Sequence, residues 1–170
     1  MKPMIAQTKR LYIRPIKLDD ASSLLAIFGD KEVMRFSRAG VKTLEQIKES
    51  LTNFYLKSYE TNGFGMYAVI QKTDNQLVGI CGFFTEEIDG QEYVELAYRL
   101  ATNYWGMGFA TEAALTLKDY ARDKLKIKTL ISIIAVKNTA SIRVAEKIGM
   151  SLWKKTVMYS TEVVIYKISA

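Results

Sequence analysis

The chain contains no histidine. That absence excludes Ser-His-Asp and Cys-His nucleophilic systems and every zinc site built with a histidine ligand. Cys81 is the only cysteine, so no disulfide can form within the chain, as expected of a protein working in a reducing cytoplasm. It lies in an apolar run with no base beside it and reads as a small buried hydrophobe. The only prolines are Pro3 and Pro15, so no proline-rich linker divides the chain. Repeats and low-complexity segments are absent too, and the expectation is one domain over residues 1–170 with a sizeable core. The longest apolar runs are strand-sized, far short of a membrane span. The N-terminal MKPMIAQTKR has no apolar signal core.

Lysine and arginine number 24 against 18 acidic residues, a formal charge of +6. Such an excess suits either nucleic acid or an anionic small molecule. The basic residues are dispersed, with no run of four or more, which argues against a nucleic-acid-binding arm.

What the sequence does contain is organised around residues 93–121, YVELAYRLATNYWGMGFATEAALTLKDYA. Its first part alternates as a strand does: Val94, Leu96, Tyr98 and Leu100 share one face, and Tyr93, Glu95, Ala97 and Arg99 the other. A turn with Gly106 and Gly108 follows. Then Ala110, Ala113, Ala114, Leu117 and Ala121 repeat at the spacing of one helix face. A helix opening at a glycine turn presents bare backbone N–H groups and a positive dipole end. That is an anion site, most naturally for phosphate.

Residues 10–16 read as the first strand. Asp19 or Asp20 can cap a helix with Ala21, Leu24, Leu25 and Phe28 on its buried stripe, ended by Gly29. Thr43 and Gln46 form a capping box for a helix reaching about Glu60. Residues 66–71 and 77–84 form a hairpin around Thr73-Asp74-Asn75. Gly79 and Gly82 in its second strand predict a close backbone approach or a bulge. Asp89-Gly90 turns the chain into the central strand. Residues 129–136, TLISIIAV, are the pattern of a strand buried on both faces, and the helix before them makes it a parallel neighbour of the central strand. Asn138 caps the last helix, and residues 153–158 and 163–168 close the chain as a hairpin. The predicted fold is α/β (α+β mixed): a mixed, mainly antiparallel sheet of about seven strands flanked by four helices.

Four stretches carry a family resemblance. They are Tyr104-Trp105-Gly106-Met107-Gly108-Phe109-Ala110-Thr111-Glu112-Ala113, Thr8 to Pro15 (TKRLYIRP), Val94-Glu95-Leu96-Ala97-Tyr98, and Asn138-Thr139-Ala140-Ser141 with Ala145 to Met150 (AEKIGM). Together, in this order, they resemble the GNAT superfamily of N-acetyltransferases, closest to the branch that acetylates ribosomal-protein N-termini. The resemblance implies acetyl-CoA as cosubstrate, no metal, and direct attack of a primary amine on the thioester. It implies a protein or peptide N-terminal α-amine as acceptor, such as that of a ribosomal protein. A small amine, polyamine or aminoglycoside-like, is the alternative, and a non-catalytic CoA-binding or RNA-associated module the alternative of another class. Monomer and homodimer both remain open.

The resemblance also implies residue roles. Cofactor contacts fall to Tyr98, Leu100, Trp105, Gly106, Met107, Gly108, Phe109, Ala110, Thr111, Asn138 and Ser141. The central strand and the 129–136 strand splay so that the amide arm of the cofactor inserts between them, and a backbone N–H of the central strand stabilises the developing oxyanion. Glu95 is the candidate general base, although an exposed carboxylate or an ion pair with Arg99 would read the same in sequence. Many family members carry a tyrosine at the position of Ala145 to protonate the leaving thiolate. Here Ser141, another group or water takes that part, or the thiolate leaves unassisted. Met34, Arg35 and Phe36 border the acceptor in the resemblance, but Met34 and Phe36 equally suit a core.

Overall fold

The computed structural model describes residues 3–169. Eight strands form one sheet in the order β1-β2-β3-β4-β5-β6-β8-β7. They are β1 Ala6–Gln7, β2 Leu11–Pro15, β3 Met66–Gln71, β4 Leu77–Ile88, β5 Gln91–Leu100, β6 Thr129–Ala135, β7 Ser151–Met158 and β8 Thr161–Ser169. All neighbours are antiparallel except β5 and β6. The strand beyond the expected seven is β1, whose two residues pair with Tyr12 and Ile13. A strand that short carries no alternation to read.

The helices are α1 Ala21–Phe28, α2 Leu44–Ser50, α3 Leu56–Asn62, α4 Phe109–Asp123 and α5 Thr139–Lys147. A π-helical turn, Leu51–Tyr55, joins α2 to α3 in one continuous rod, so four helical bodies flank the sheet. The Thr43–Gln46 capping box forms in both directions. Asp20 stands at the N-cap of α1 without a side-chain cap bond. Its carboxylate instead receives the Arg14 guanidinium through two 2.8 Å hydrogen bonds. The same carboxylate also accepts the Lys17 amide at 2.8 Å, capping the short turn before α1.

Strand alternation sends side chains to two cores. Leu11, Ile13, Tyr67, Val69, Phe83, Leu96 and Leu100 meet Phe109, Ala113, Leu117 and Ala121 of α4 and Ala145 of α5. Met66, Ala68, Ile70 and Ile80 meet Leu24, Ile27 and Phe28 of α1 and Ile47, Leu51 and Tyr55 of the rod. Helices on both faces explain why β3 is almost wholly buried. Cys81 is fully buried within the first core, and burial pushes its thiol up.

Two turns differ in what they ask of the chain. Asp89 and Gly90 both have positive φ, 52° and 78°, the geometry of a tight two-residue hairpin. The β7–β8 turn uses the same geometry without glycine, with φ of 52° at Tyr159 and 63° at Ser160. β4 continues to Ile88, past the expected end at Phe84. Its extension is polar (Thr85, Glu86, Glu87) and is held by pairing with Gln91–Val94 rather than by apolar alternation.

The expected close approaches lie at the two glycines of β4. A Cβ on Gly82 would stand 2.3 Å from the Gly65 carbonyl oxygen and 2.6 Å from Met66 Cα; one on Gly79 would stand 2.6 Å from the Arg99 carbonyl oxygen. Both obstacles are backbone and cannot rotate away. Gly82→Ala is therefore expected to cost about 1–3 kcal/mol, as overpacking does, read as a lower urea midpoint. An unchanged midpoint would mean that β3 and β4 are not this close.

Candidate active site

The site grows from a fork in the sheet. β5 and β6 pair only at Val94↔Leu130 and Glu95↔Ile131. Beyond that point β5 stays with β4 as far as Gly79↔Leu100, while β6 stays with β8 as far as Ala135↔Val163. The two strands are drawn apart by their outer neighbours. Two side chains bridge the parting. The buried Ser132 hydroxyl donates to the Leu96 carbonyl at 2.7 Å. The Ile133 amide donates to Glu95 Oε1 at 3.3 Å. Each takes over a backbone group that the ladder no longer satisfies.

Glu95 thus sits at the apex of the fork. Burial pushes its carboxyl up to about 8, against an ordinary value near 4.5; the Ile133 amide pulls it down, the charge of Glu86 raises it further, and Arg99 lowers it. Among the described residues Glu95 and Arg99 form no ion pair. Arg99 instead donates to Met34 Sδ at 3.2 Å, and burial lowers its pKa. Glu86 is a carboxylate that sequence reasoning missed. Phe84 pairs with Glu95, so Glu86, two residues on, faces the same side as a diagonal neighbour. Burial raises its pKa and the Arg38 charge opposes that. Reading the alternation of β4 beyond Phe84 would have found it.

The opposite face of β5 carries Tyr98, which reaches over the gap. Its hydroxyl donates to the Ser141 carbonyl at 2.7 Å, and burial raises its pKa. Asn138 caps α5 by accepting from the Ser141 amide at 3.3 Å. Ser141 therefore stands in the first turn of α5, where β6 ends.

At the far end of β5 the chain turns into α4. The Leu100 side chain is buried, and its carbonyl accepts the Trp105 indole N–H at 2.9 Å. The indole and Met107 are exposed. Gly106 and Gly108 have φ of 73° and 80°, and Gly108 is the N-cap of α4. This left-handed conformation favours glycine, and a Cβ on Gly106 would meet nothing within 4 Å. The turn is an open cradle beside the amides of Phe109, Ala110 and Thr111, which have no partner inside the helix. The Phe109 ring itself is buried. A diphosphate fits this cradle, and an extended amide arm fits the gap between β5 and β6.

On the other side of the fork, Met34 is core, under Arg99. Arg35 lies over the Phe36 ring at 5.2 Å, and Phe36 is partly exposed. Arg38, on the same loop, lies 3.4 Å from the centroid of the Tyr159 ring. This contact joins the α1–α2 loop to the β7–β8 turn. Among the described residues, no cluster of three or more acidic or cysteine side chains could hold a metal. No helix among them is long and apolar enough to cross a membrane.

A sheet forked at its single parallel pair, with a glycine turn and a helix N-terminus at the open end, is the architecture of an acyl-CoA-dependent acetyltransferase. The chain belongs to the GNAT family: residues 10–151 match the acetyltransferase (GNAT) domain. The uncharacterized protein YkkB of Bacillus subtilis (strain 168) is 30% identical over 161 residues, 94% of this chain and 92% of that protein. A GNAT-family acetyltransferase from Bacillus anthracis superposes with a TM-score of 0.82 at 25% identity, covering 96% of each chain. RimL, a ribosomal L7/L12 alpha-N-protein acetyltransferase solved in complex with coenzyme A, gives 0.80 at 16% identity over 98% of each chain. That last likeness is one of fold.

The raised carboxyl of Glu95 has a consequence for stability. In the folded chain it holds its proton more tightly than in the unfolded chain. The stability linked to it is complete below about pH 4.5 and is lost as pH rises through about 8. Glu95→Gln removes that loss. Its denaturation midpoint should gain on the parent protein between pH 5 and pH 9; a difference that stays constant across that range would show that the carboxylate is not desolvated.

Proposed function

We propose that this protein transfers the acetyl group of acetyl-CoA to the α-amino group of a protein or peptide. The observation that carries the reading is the placement of Glu95: a carboxylate at the apex of the fork, bound by the Ile133 amide, where burial raises its pKa to about 8. Bound in the gap, acetyl-CoA supplies an activated thioester. The chain supplies the rest. The amides of Met107 to Thr111 face the diphosphate. Asn138 and Tyr98 order the first turn of α5 beside the arm. Glu95 takes a proton from the incoming ammonium so that the neutral amine can attack. Ser141 is the candidate proton donor to the departing sulfur; its side chain makes no hydrogen bond among the described residues.

Proton affinity supports this acceptor. A peptide α-amine has a pKa near 7.7–8.0 and a lysine side chain one near 10.4. Proton transfer from an α-ammonium to a base of about 8 is close to balanced, whereas transfer from lysine is uphill by about two units. RimL, whose fold this chain shares, is an alpha-N-protein acetyltransferase, which supports the same acceptor. One observation favours a second reading. Glu86 shares a face with Glu95, and two carboxylates on one wall suit a polyamine with two separated charges.

The deciding measurement is kcat/KM with acetyl-CoA and matched acceptors: free-N-terminus peptides, N-blocked lysine peptides and spermidine. Free-N-terminus peptides are expected to be the best acceptors, with kcat rising as pH approaches about 8. Glu95→Gln should lower kcat by roughly 10²–10⁴-fold, the usual worth of a general base, and leave acetyl-CoA binding in place. Spermidine outperforming every peptide would replace the α-amine reading with the polyamine one. No release of CoA thiol with any amine would remove the catalytic reading.

A further inference from the structure

The glycine turn is held from outside by a residue far from it in sequence. Arg10 lies just before β2. Its Nη1 donates to the Met107 carbonyl at 2.8 Å. Its Nε donates to Glu112 Oε2 at 2.7 Å, and Nη2 stands 2.6 Å from the same oxygen. The guanidinium lies over the Phe109 ring, 4.4 Å from the centroid. A Cβ on Gly108 would be 3.4 Å from Nη2. Glu112 is fixed in turn: Oε1 accepts from the Thr8 hydroxyl and, at 3.3 Å, from the Arg10 amide. Burial raises the carboxyl of Glu112, but these hydrogen bonds and the Arg10 charge outweigh it and hold the pKa low. One planar side chain thereby grips the residue before Gly108, the residue after it and the first turn of α4.

The peptide plane gives this grip a purpose. The Met107 carbonyl and the Gly108 N–H belong to one rigid trans unit and point in opposite directions. With the carbonyl tied to Arg10, the N–H must point away from Arg10, across the turn. A flip of this unit turns about ψ of Met107 and φ of Gly108, and glycine at 108 tolerates either sign of φ. Without a tie, the glycine that opens the cradle at 108 would let this peptide flip. Glu112 neutralises most of the Arg10 charge, so the contribution is one of orientation more than attraction.

We propose that Arg10 is a positioning residue for the cofactor: it locks the Met107–Gly108 peptide with its N–H toward the diphosphate. This rests on the reading of the glycine turn as the acetyl-CoA phosphate site. The test compares two acetyl donors on the full chain: acetyl-CoA, and acetyl-pantetheine, which has the same thioester and arm but no diphosphate. Arg10→Gln should raise KM for acetyl-CoA roughly ten- to a hundred-fold, the worth of a hydrogen bond to a charged group. The kcat at saturation and the kcat/KM for acetyl-pantetheine should stay at parental values. Arg10→Lys keeps the charge but cannot span Met107 and Glu112 together, and it should show the same donor-selective loss. Equal losses with both donors would mean that Arg10 only supports the fold, and full recovery by lysine would mean that charge rather than the fork matters; either overturns the proposal. If the parent protein itself prefers acetyl-CoA to acetyl-pantetheine not at all, the phosphate-site reading fails and takes this proposal with it.

Discussion

The parting of β5 from β6 is the constraint on which the rest of the structure depends. A sheet that opens after two residue pairs leaves backbone donors and acceptors facing a gap, and such groups are costly to bury without partners. The chain satisfies some of them itself, through Ser132 on Leu96 and Glu95 on Ile133. It keeps the gap open by anchoring each strand elsewhere, β5 on the long β4 and β6 on β8. The β5–α4–β6 connection then puts the N-terminus of α4 and the C-terminal ends of both strands at one end of the sheet. In parallel α/β units that is the end where ligands bind.

The position of Glu95 at this apex links the fold to its chemistry. A carboxylate on an ordinary exposed strand would be ionised at neutral pH and a weak base. Here burial raises the proton affinity into the range of an α-amine. The sheet face that bears Glu95 is bordered by the α1–α2 loop and the β7–β8 turn, which meet through Arg38 and Tyr159. Tyr159 and Ser160 adopt positive φ without glycine. Such a conformation persists only where surrounding contacts hold it, and it is frequent beside functional clefts. The opposite face carries Tyr98, the tie to α5.

Much of this was legible in the sequence. The alternation of residues 93–100, the glycines before α4 and the apolar run at 129–136 gave the central unit and its parallel pairing, because those patterns are local. Asn138 and the Thr43–Gln46 box marked helix starts for the same reason. The limits were also physical. β1 is held only by its partner strand, and the end of β4 is polar and held only by pairing, so neither has a pattern of its own. Met34 looked equally suited to a core or to a substrate wall; the structure buries it under Arg99, while Arg35 and Phe36 remain on the outer side of the loop.

The sequence by itself determined the chemistry available. Without histidine, the sequence leaves general-base work to other side chains, a carboxylate among them. It also determined where the turn must bend, since the left-handed positions at 106 and 108 favour glycine. Tertiary structure alone decided which carboxylate has a raised pKa, because desolvation and the neighbouring charge of Glu86 come from strands and loops brought together in space. It alone brought Arg10 and Glu112, 102 residues apart, together against one glycine turn. Periodicity reports on neighbours along the chain; the fork and its brace are made between residues that are neighbours only after folding.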